Sequence, residues 1–284
     1  MTHNIPQLTL NDGHSLPAIG FGTYPLRGVE GRDAIQSALN SGYRLLDSAT
    51  NYENEGVVGR ALRDFLADSG VTRDEVTVQS KLAGRHHDYD SALQAGYESV
   101  TRLGLDRLDV LLIHWPNPIT DKYREAWRAL VELQRRGVVR SIGVSNFASE
   151  HLDNIVDDSG VTPAINQIEL HPYFIQEKMR AAHEQLGIIT EAWSPLGKRS
   201  APFDEAPVAD AAAAHGVTPA QVILRWHIHN GSIPLPKSAT PSRQVENLDV
   251  FGFELTDAEV ASISSLTRTD GRLFGGDPNT HEEM

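Results

Sequence analysis

Short apolar runs that each end in a polar residue recur along this chain at nearly constant spacing, and that rhythm restricts the fold more than any other feature. Tyr43–Asp47, Val76–Lys81, Asp109–His114 and Ser141–Ser145 end at positions 34, 33 and 31 residues apart, about one strand–helix–strand period. Ala18–Gly22, Ala164–Glu169, Ile188–Trp193 and Ser232–Leu235 complete eight candidate strands. Between them, Val58, Ala61, Leu62, Phe65 and Leu66, like Leu93, Tyr97 and Val100, recur at helical spacing and give one apolar face. Such alternation predicts an α/β protein with parallel strands joined by helices. A closed (β/α)8 TIM barrel suits the spacing, although an open doubly wound sheet shares the same periodicity.

No Pro/Ser-rich linker or composition step divides the chain, so a single domain over residues 1–284 is the simpler expectation. Leu8-Thr9-Leu10-Asn11-Asp12-Gly13 places an Asp-Gly pair between apolar runs, which predicts an N-terminal β-hairpin with a positive-φ turn. The stretch Gly197–Pro219 exceeds an ordinary βα loop and is expected to hold a helix over Val208–His215. From Thr267 on, Gly271, Gly275, Gly276 and Pro278 read as an irregular C-terminal tail, expected to lie over the barrel mouth.

A net charge of -13 and a pI near 5.3 argue against a nucleic-acid surface, which needs clustered Lys and Arg. With no Cys, disulfides, thiolate metal sites and Cys nucleophiles are excluded together, as suits a reducing compartment. The polar start, Met1 to Gly13, has no apolar signal region, and the apolar run Val110–Ile113 is far too short to span a bilayer. These features predict a cytoplasmic protein with no membrane partner.

In a parallel barrel the carboxyl ends of the strands converge on one face. Here Asp47, Lys81 and His114 end three runs, and Tyr52 lies five residues beyond Asp47. Taken singly, Asp47 reads as a helix cap, Lys81 as a solvated amine, Tyr52 as a packed loop aromatic and His114 as a core imidazole. Together they suit carbonyl reduction. A carbonyl receiving hydride becomes an alkoxide and needs a proton donor. A phenol near pKa 10 is too weak an acid, but an ammonium about 4 Å away favours tyrosinate by roughly 4 kcal/mol, about three pKa units. Lys81 is therefore expected to bring Tyr52 into range, Asp47 to hold Lys81 charged, and neutral His114 to orient the carbonyl.

Other codes fail. Gly20-Phe21-Gly22 opens like a dinucleotide fingerprint, but Pro25 occupies the third glycine position. Gly143-Val144-Ser145-Asn146-Phe147 lacks the last glycine of a nucleophile elbow. His86-His87 and His227-Ile228-His229 lack metal-ligand spacing, so no metal is expected. A barrel glycosidase would use two carboxylates, and Glu169 and Glu191 are candidates.

Gly42-Tyr43-Arg44-Leu45-Leu46-Asp47-Ser48-Ala49 with Tyr52 and Asn54-Glu55, then Lys81-Leu82, resemble motifs of the aldo-keto reductase family. So do Leu112-Ile113-His114-Trp115-Pro116, Ile142-Gly143-Val144-Ser145-Asn146-Phe147 and Asn166-Gln167-Ile168-Glu169-Leu170-His171-Pro172. The resemblance runs from the hairpin nearly to the C-terminus. It implies a monomeric barrel that reduces aldehydes, ketones or dicarbonyls with NADPH, with Asp47, Tyr52, Lys81 and His114 as catalytic tetrad and Tyr52 as general acid. It places Gly22 and Thr23 beside the cofactor, Ser145, Asn146 and Gln167 on the nicotinamide carboxamide, and Trp193 against the ring. Ser194, Pro195, Leu196 and Gly197 would follow the pyrophosphate. Without the resemblance, Ser145 and Asn146 read as a helix cap and Trp193 as a core aromatic.

The run Leu235-Pro236-Lys237-Ser238-Ala239 with Arg243 offers cations and a hydroxyl for a phosphate monoester, which favours NADPH over NADH; alone, it reads as a solvated loop and helix start. The resemblance puts Lys237, Ser238 and Arg243 at the 2′-phosphate, flanked by Leu235 and Ala239, with Glu246 and Asn247 near the adenine. Tyr24, Trp115 and Phe274, with His114, are expected to line a pocket for a small carbonyl substrate. Two departures stand out. Ala83 replaces a common Trp, which is expected to widen the pocket, and Trp193 replaces a common Tyr, as in a bacterial branch that includes 2,5-diketo-gluconate reductases. A cofactor-binding regulatory barrel with little turnover is the alternative reading.

Overall fold

The computed structural model describes residues 5–283; the ends of the predicted 1–284 span, residues 1–4 and 284, lie outside it. A hairpin comes first, β1 (Gln7–Thr9) antiparallel to β2 (Ser15–Pro17). Its turn differs from a two-residue Asp-Gly turn. Only Gly13 has positive φ, at 87°, and the Leu10 N–H reaches His14 O at 2.7 Å, while the Asp12 carboxylate accepts from His14 N at 3.1 Å. The loop is one residue longer, so a single left-handed glycine suffices.

Eight parallel strands follow: β3 (Phe21–Gly22), β4 (Leu45–Asp47), β5 (Thr77–Leu82), β6 (Leu108–Ile113), β7 (Val139–Ser145), β8 (Ile165–Glu169), β9 (Ile189–Trp193) and β10 (Ile233–Pro234). They pair in chain order. The ring closes where Gly20 N donates to Pro234 O at 3.0 Å and Gly22 N to Pro236 O at 3.1 Å. All eight predicted runs are strands, with shifted ends. Single helices link β3 through β9: α1 (Gly28–Ser41), α2 (Glu55–Ser69), α3 (Tyr89–Leu103), α4 (Tyr123–Arg135), α5 (Ser149–Ser159) and α6 (Glu177–Leu186). The long β9 connection carries α7 (Ala206–His215), two residues longer at its start than Val208–His215, before α8 (Pro219–His229). The chain ends with α9 (Pro241–Leu248), α10 (Asp257–Ser264) and a tail without regular structure.

Two periodicities divide the core. On α4, Tyr123, Ala126, Trp127, Leu130 and Leu133 recur three or four apart and are buried against the strands' outer faces. Along the strands, alternate residues face the lumen. Leu45, Val110, Leu112, Ile165 and Ile233 fill its lower part with Leu10 and Leu16 of the hairpin, which plugs that end. Two residues further along the same period come Asp47 and Gln167, so the lumen turns polar towards its upper end. No helix among the described residues is long and apolar enough to cross a membrane.

Candidate active site

Asp47 closes β4, Lys81 lies near the end of β5, and His114 directly follows β6. Lys81 is fully buried, and its three ammonium hydrogens have three acceptors: Asp47 Oδ1 at 2.5 Å, Ser48 O at 2.9 Å and the Tyr52 hydroxyl at 3.3 Å. Asp47 Oδ1 also accepts from Gln79 Nε2 at 2.9 Å and Gln167 Nε2 at 3.1 Å. The His114 ring stands edge-on to Tyr52, with centroids 5.7 Å apart.

A polar frame aims Tyr52, which sits on a short 3-10 turn, Thr50–Tyr52. Buried Asn54 accepts from Ser48 Oγ at 2.7 Å and donates to Thr23 O and Leu26 O at 3.0 Å each, tying the Tyr52 loop to the β3 loop. Glu55 binds Ser80 Oγ and Arg102 Nε, both at 2.6 Å, locking α2 to β5 and α3. Asn54 and Glu55 hold the geometry without reaching the cleft.

The electrostatics correct one expectation. Burial pushes the Tyr52 phenol above its usual range; Lys81 pulls it back down, but Asp47 and Glu283 add to the rise. Tyr52 is thus a fully protonated phenol at neutral pH, because dehydration of the anion outweighs the ammonium when no other charge is developing nearby. For Lys81, burial opposes the charge, yet Asp47 and Tyr52 outweigh it and raise its pKa. Deeper in the lumen, burial and then Asp47 push the Glu191 carboxyl up to about 7.

Above this cluster a cleft of about 960 Å³ runs from Tyr52 to the start of α9. Its wall includes three of the four proposed catalytic residues, Asp47, Tyr52 and His114, and the expected substrate residues Tyr24, Trp115 and Phe274. Gly22, Asn146, Gln167, Trp193 and Ser194 through Leu196 line its middle, and Leu235, Lys237, Ser238, Arg243, Glu246 and Asn247 its far arm. Lys81, Thr23, Ser145, Gly197 and Ala239 are not on the wall. Thr23 and Ser145 spend their hydroxyl hydrogens on Asp47 O and Gln167 O, both at 2.8 Å. Buried Ala83 is also off the wall.

Asn146 (φ 61°) and Ser194 (φ 50°) hold left-handed backbones just past β7 and β9, the kind of local cost that concentrates at binding sites. Helix α5 begins at Ser149 after an Ala148 cap, so Ser145 and Asn146 do not cap it. Trp193 donates from Nε1 to Asn146 Oδ1 at 2.8 Å and stacks on Phe274 with centroids 5.5 Å apart. Glu169 and Glu191 do not line the cleft, and Glu169 is occupied by His171 Nε2 at 3.0 Å and Leu273 N at 2.7 Å. The two-carboxylate hydrolase is thereby ruled out for this pair.

The tail crosses the mouth, and Glu283 lies inside it. His281 packs on Trp115 at 4.2 Å, and Glu282 accepts from Ile119 N at 2.7 Å and Thr120 Oγ1 at 2.5 Å. Glu283 N donates to Asn117 Oδ1 at 3.0 Å, and its Oε1 lies 2.7 Å from Asn51 Nδ2 and 2.6 Å from His114 Nδ1. Nδ1 of His114 is thus turned to Glu283. Gly84 is required here, since a Cβ would stand 1.9 Å from Glu283 O. Burial opposes ionisation of Glu283, but His114, Asn51 and the Gly84 N–H together hold its pKa below the usual range. Sequence reading missed Asn51, Lys198, which lines the cleft with its ammonium 5.9 Å from the Trp193 ring, and Glu283. Only their strand-end neighbourhood offered a signal for the first two, and for Glu283 there was none.

The Aldo/keto reductase family model matches residues 18–268, nearly the whole barrel. The chain belongs to the aldo-keto reductase family. Among its relatives within that family, 2,5-diketo-D-gluconic acid reductase B of Corynebacterium sp. is 53% identical over 281 residues, 99% of both chains. Methylglyoxal reductase DkgA of Escherichia coli is 41% identical over 273 residues, 96% of each. A Gox0644 mutant solved in complex with NADPH superposes with a TM-score of 0.92 at 44% identity, covering 99% of this aldo-keto reductase and 100% of that chain.

Proposed function

We propose that this chain, acting as one unit over residues 1–284, is an NADPH-dependent reductase of small aldehydes, ketones or dicarbonyls, with Tyr52 as general acid. The observation that carries the reading is the Lys81 ammonium, buried, neutralised by Asp47 and hydrogen-bonded to the Tyr52 hydroxyl at the cleft wall.

The donor set fits a phosphorylated dinucleotide. Lys237 and Arg243 are exposed cations, the first ahead of α9 and the second in its first turn, and both line the cleft with Ser238 and Tyr52. Lys237, Ser238 and Arg243 would hold the 2′-phosphate, Glu246 and Asn247 the adenine, Trp193 the nicotinamide ring, and Asn146 and Gln167 its carboxamide. When bound, the cofactor supplies the hydride. His114 Nε2 and Tyr52 meet the carbonyl oxygen. As negative charge grows there, Tyr52 passes its proton to that oxygen, and Lys81 stabilises the tyrosinate left behind. A growing oxyanion beside the phenol supplies the driving force that the resting protein lacks, so a phenol with a high resting pKa still serves as donor. In oxidation Tyr52 takes the proton back.

Corynebacterium 2,5-diketo-D-gluconic acid reductase B and the NADPH-bound Gox0644 mutant support a dicarbonyl substrate and this cofactor. Every proposed catalytic group comes from one chain, which supports a monomer, and the lack of Cys supports a cytoplasmic setting. The test follows NADPH absorbance with methylglyoxal or a diketo acid. Wild type should turn over, and Tyr52→Phe should bind NADPH while losing about a hundredfold or more in rate. NADPH binding without turnover by wild type would instead identify a regulatory barrel.

A further inference from the structure

Glu191 has no task in the mechanism above, yet it sits at the centre of the lumen. It is fully buried on β9, and its Oε2 accepts from Gln79 Nε2 at 2.7 Å and from Gln167 Nε2 at 2.8 Å. The same two amide nitrogens donate to Asp47 Oδ1 at 2.9 and 3.1 Å. An amide nitrogen has two hydrogens, so each Gln spends both on the pair of carboxyl groups. This fixes which way Gln167 points: flipped, its carbonyl oxygen would face two acidic oxygens. The group that Gln167 keeps free for the cleft is therefore an acceptor.

Asp47 alone is a weak anchor for that amide. Its Oδ1 already takes Lys81 and Gln79, and the bond from Gln167 is the longest of the three. The shorter bond to Glu191 is the firmer one. We propose that Glu191 is a positioning residue that aims the Gln167 amide, so that its carbonyl oxygen receives a carboxamide N–H of the bound nicotinamide. The proposal rests on the reading that Gln167 meets the cofactor.

Charge balance gives this anchor a second property. Lys81 neutralises Asp47, and the groups acting on Glu191 are Asp47 and Lys81 from β4 and β5 and the amides of Gln79 and Gln167. A second carboxylate has no cation of its own, so Glu191 holds its proton until about pH 7. Oε1 of Glu191 is buried without a partner, which makes it the natural seat for that proton. Loss of the proton strengthens Oε2 as an acceptor, and the grip on Gln167 tightens as pH rises through neutrality.

The experiment measures NADPH affinity by Trp fluorescence and single-turnover hydride transfer in wild type, Glu191→Leu, Glu191→Gln, Gln167→Ala and the Glu191→Leu/Gln167→Ala double variant. At pH 8, where Glu191 is ionised, Glu191→Leu should weaken NADPH about tenfold or more, the scale of a lost charge-assisted hydrogen bond, and Glu191→Gln should recover part of that loss. In the Gln167→Ala background the Leu substitution should add little, because the path of its action is gone. An effect of Glu191→Leu below about twofold, or one undiminished in the Gln167→Ala background, overturns the proposal. If Glu191→Leu does not fold, the pH dependence of NADPH affinity between about pH 6 and 8 decides: wild type should show an inflection that Glu191→Gln lacks, and identical profiles overturn the proposal. Wild type failing to bind NADPH would sink the functional reading. Gln167→Ala binding as tightly as wild type would sink only the Gln167 contact and the role of Glu191 with it.

Discussion

Replacing Lys81 with Met keeps the length of the side chain and removes its charge, and the structure sets the size of the result. At 2.5 Å and an effective dielectric near 20, the Lys81–Asp47 attraction is about 6 to 7 kcal/mol. Most of that is offset by the cost of taking both ions out of water, since the two side chains are 0% and 5% exposed. Removing one partner leaves the other as an uncompensated buried charge, which typically costs about 3 to 5 kcal/mol. Asp47 keeps two amide donors, Gln79 and Gln167, so the loss should fall near the lower end, about 3 kcal/mol. Adding Asp47→Asn removes the stranded charge and should restore about 1 to 2 kcal/mol. Urea unfolding at pH 7, followed by circular dichroism for wild type, both single variants and the double, measures all four stabilities. If the double variant loses as much as the two singles added together, the pair is uncoupled and the reasoning fails.

Arg243→Ala should weaken NADPH by about 1.5 to 3 kcal/mol more than NADH, and equal weakening of the two in fluorescence titrations would remove Arg243 from the phosphate site. Stability should also depend on pH through Glu191, whose carboxyl rises from 4.5 to about 7 on folding. Between those values the unfolded chain releases a proton that the folded chain keeps, so wild type loses stability as pH rises and levels off above about 7. Glu191→Gln lacks this loss, and its stability relative to wild type should climb by roughly 3 kcal/mol from pH 4 to 8; parallel curves would show that folding leaves the Glu191 carboxyl unshifted.

The eight strands were legible because strands buried on both faces read as short continuous apolar runs, Val110–Ile113 among them, and four of these end about one strand–helix–strand period apart. Their ends were less legible: Ser232–Leu235 shrinks to Ile233–Pro234, since pairing with β9, not hydrophobicity, decides where a ladder stops. Asp47, Lys81 and His114 could be picked out as polar residues ending apolar runs. Solvent exclusion could not, so the acidity expected of Tyr52 counted the amine and omitted burial, and Glu191 read as a candidate acid instead of a buried lumen group. The contacts of Glu282 and Glu283 join residues more than 160 positions apart, Asn117 to Glu283 among them, and no local pattern announces such a pairing.

The two ends of the described chain lie at opposite poles of the barrel, with the hairpin against the lower lumen and Glu283 beside His114. A bulky group attached at Glu283 would therefore sit in the mouth beside His114 and crowd the cleft. Tethered to a resin or electrode through the exposed hairpin turn at Asp12, the barrel would stand on its sealed base with the opening turned to the bulk solution.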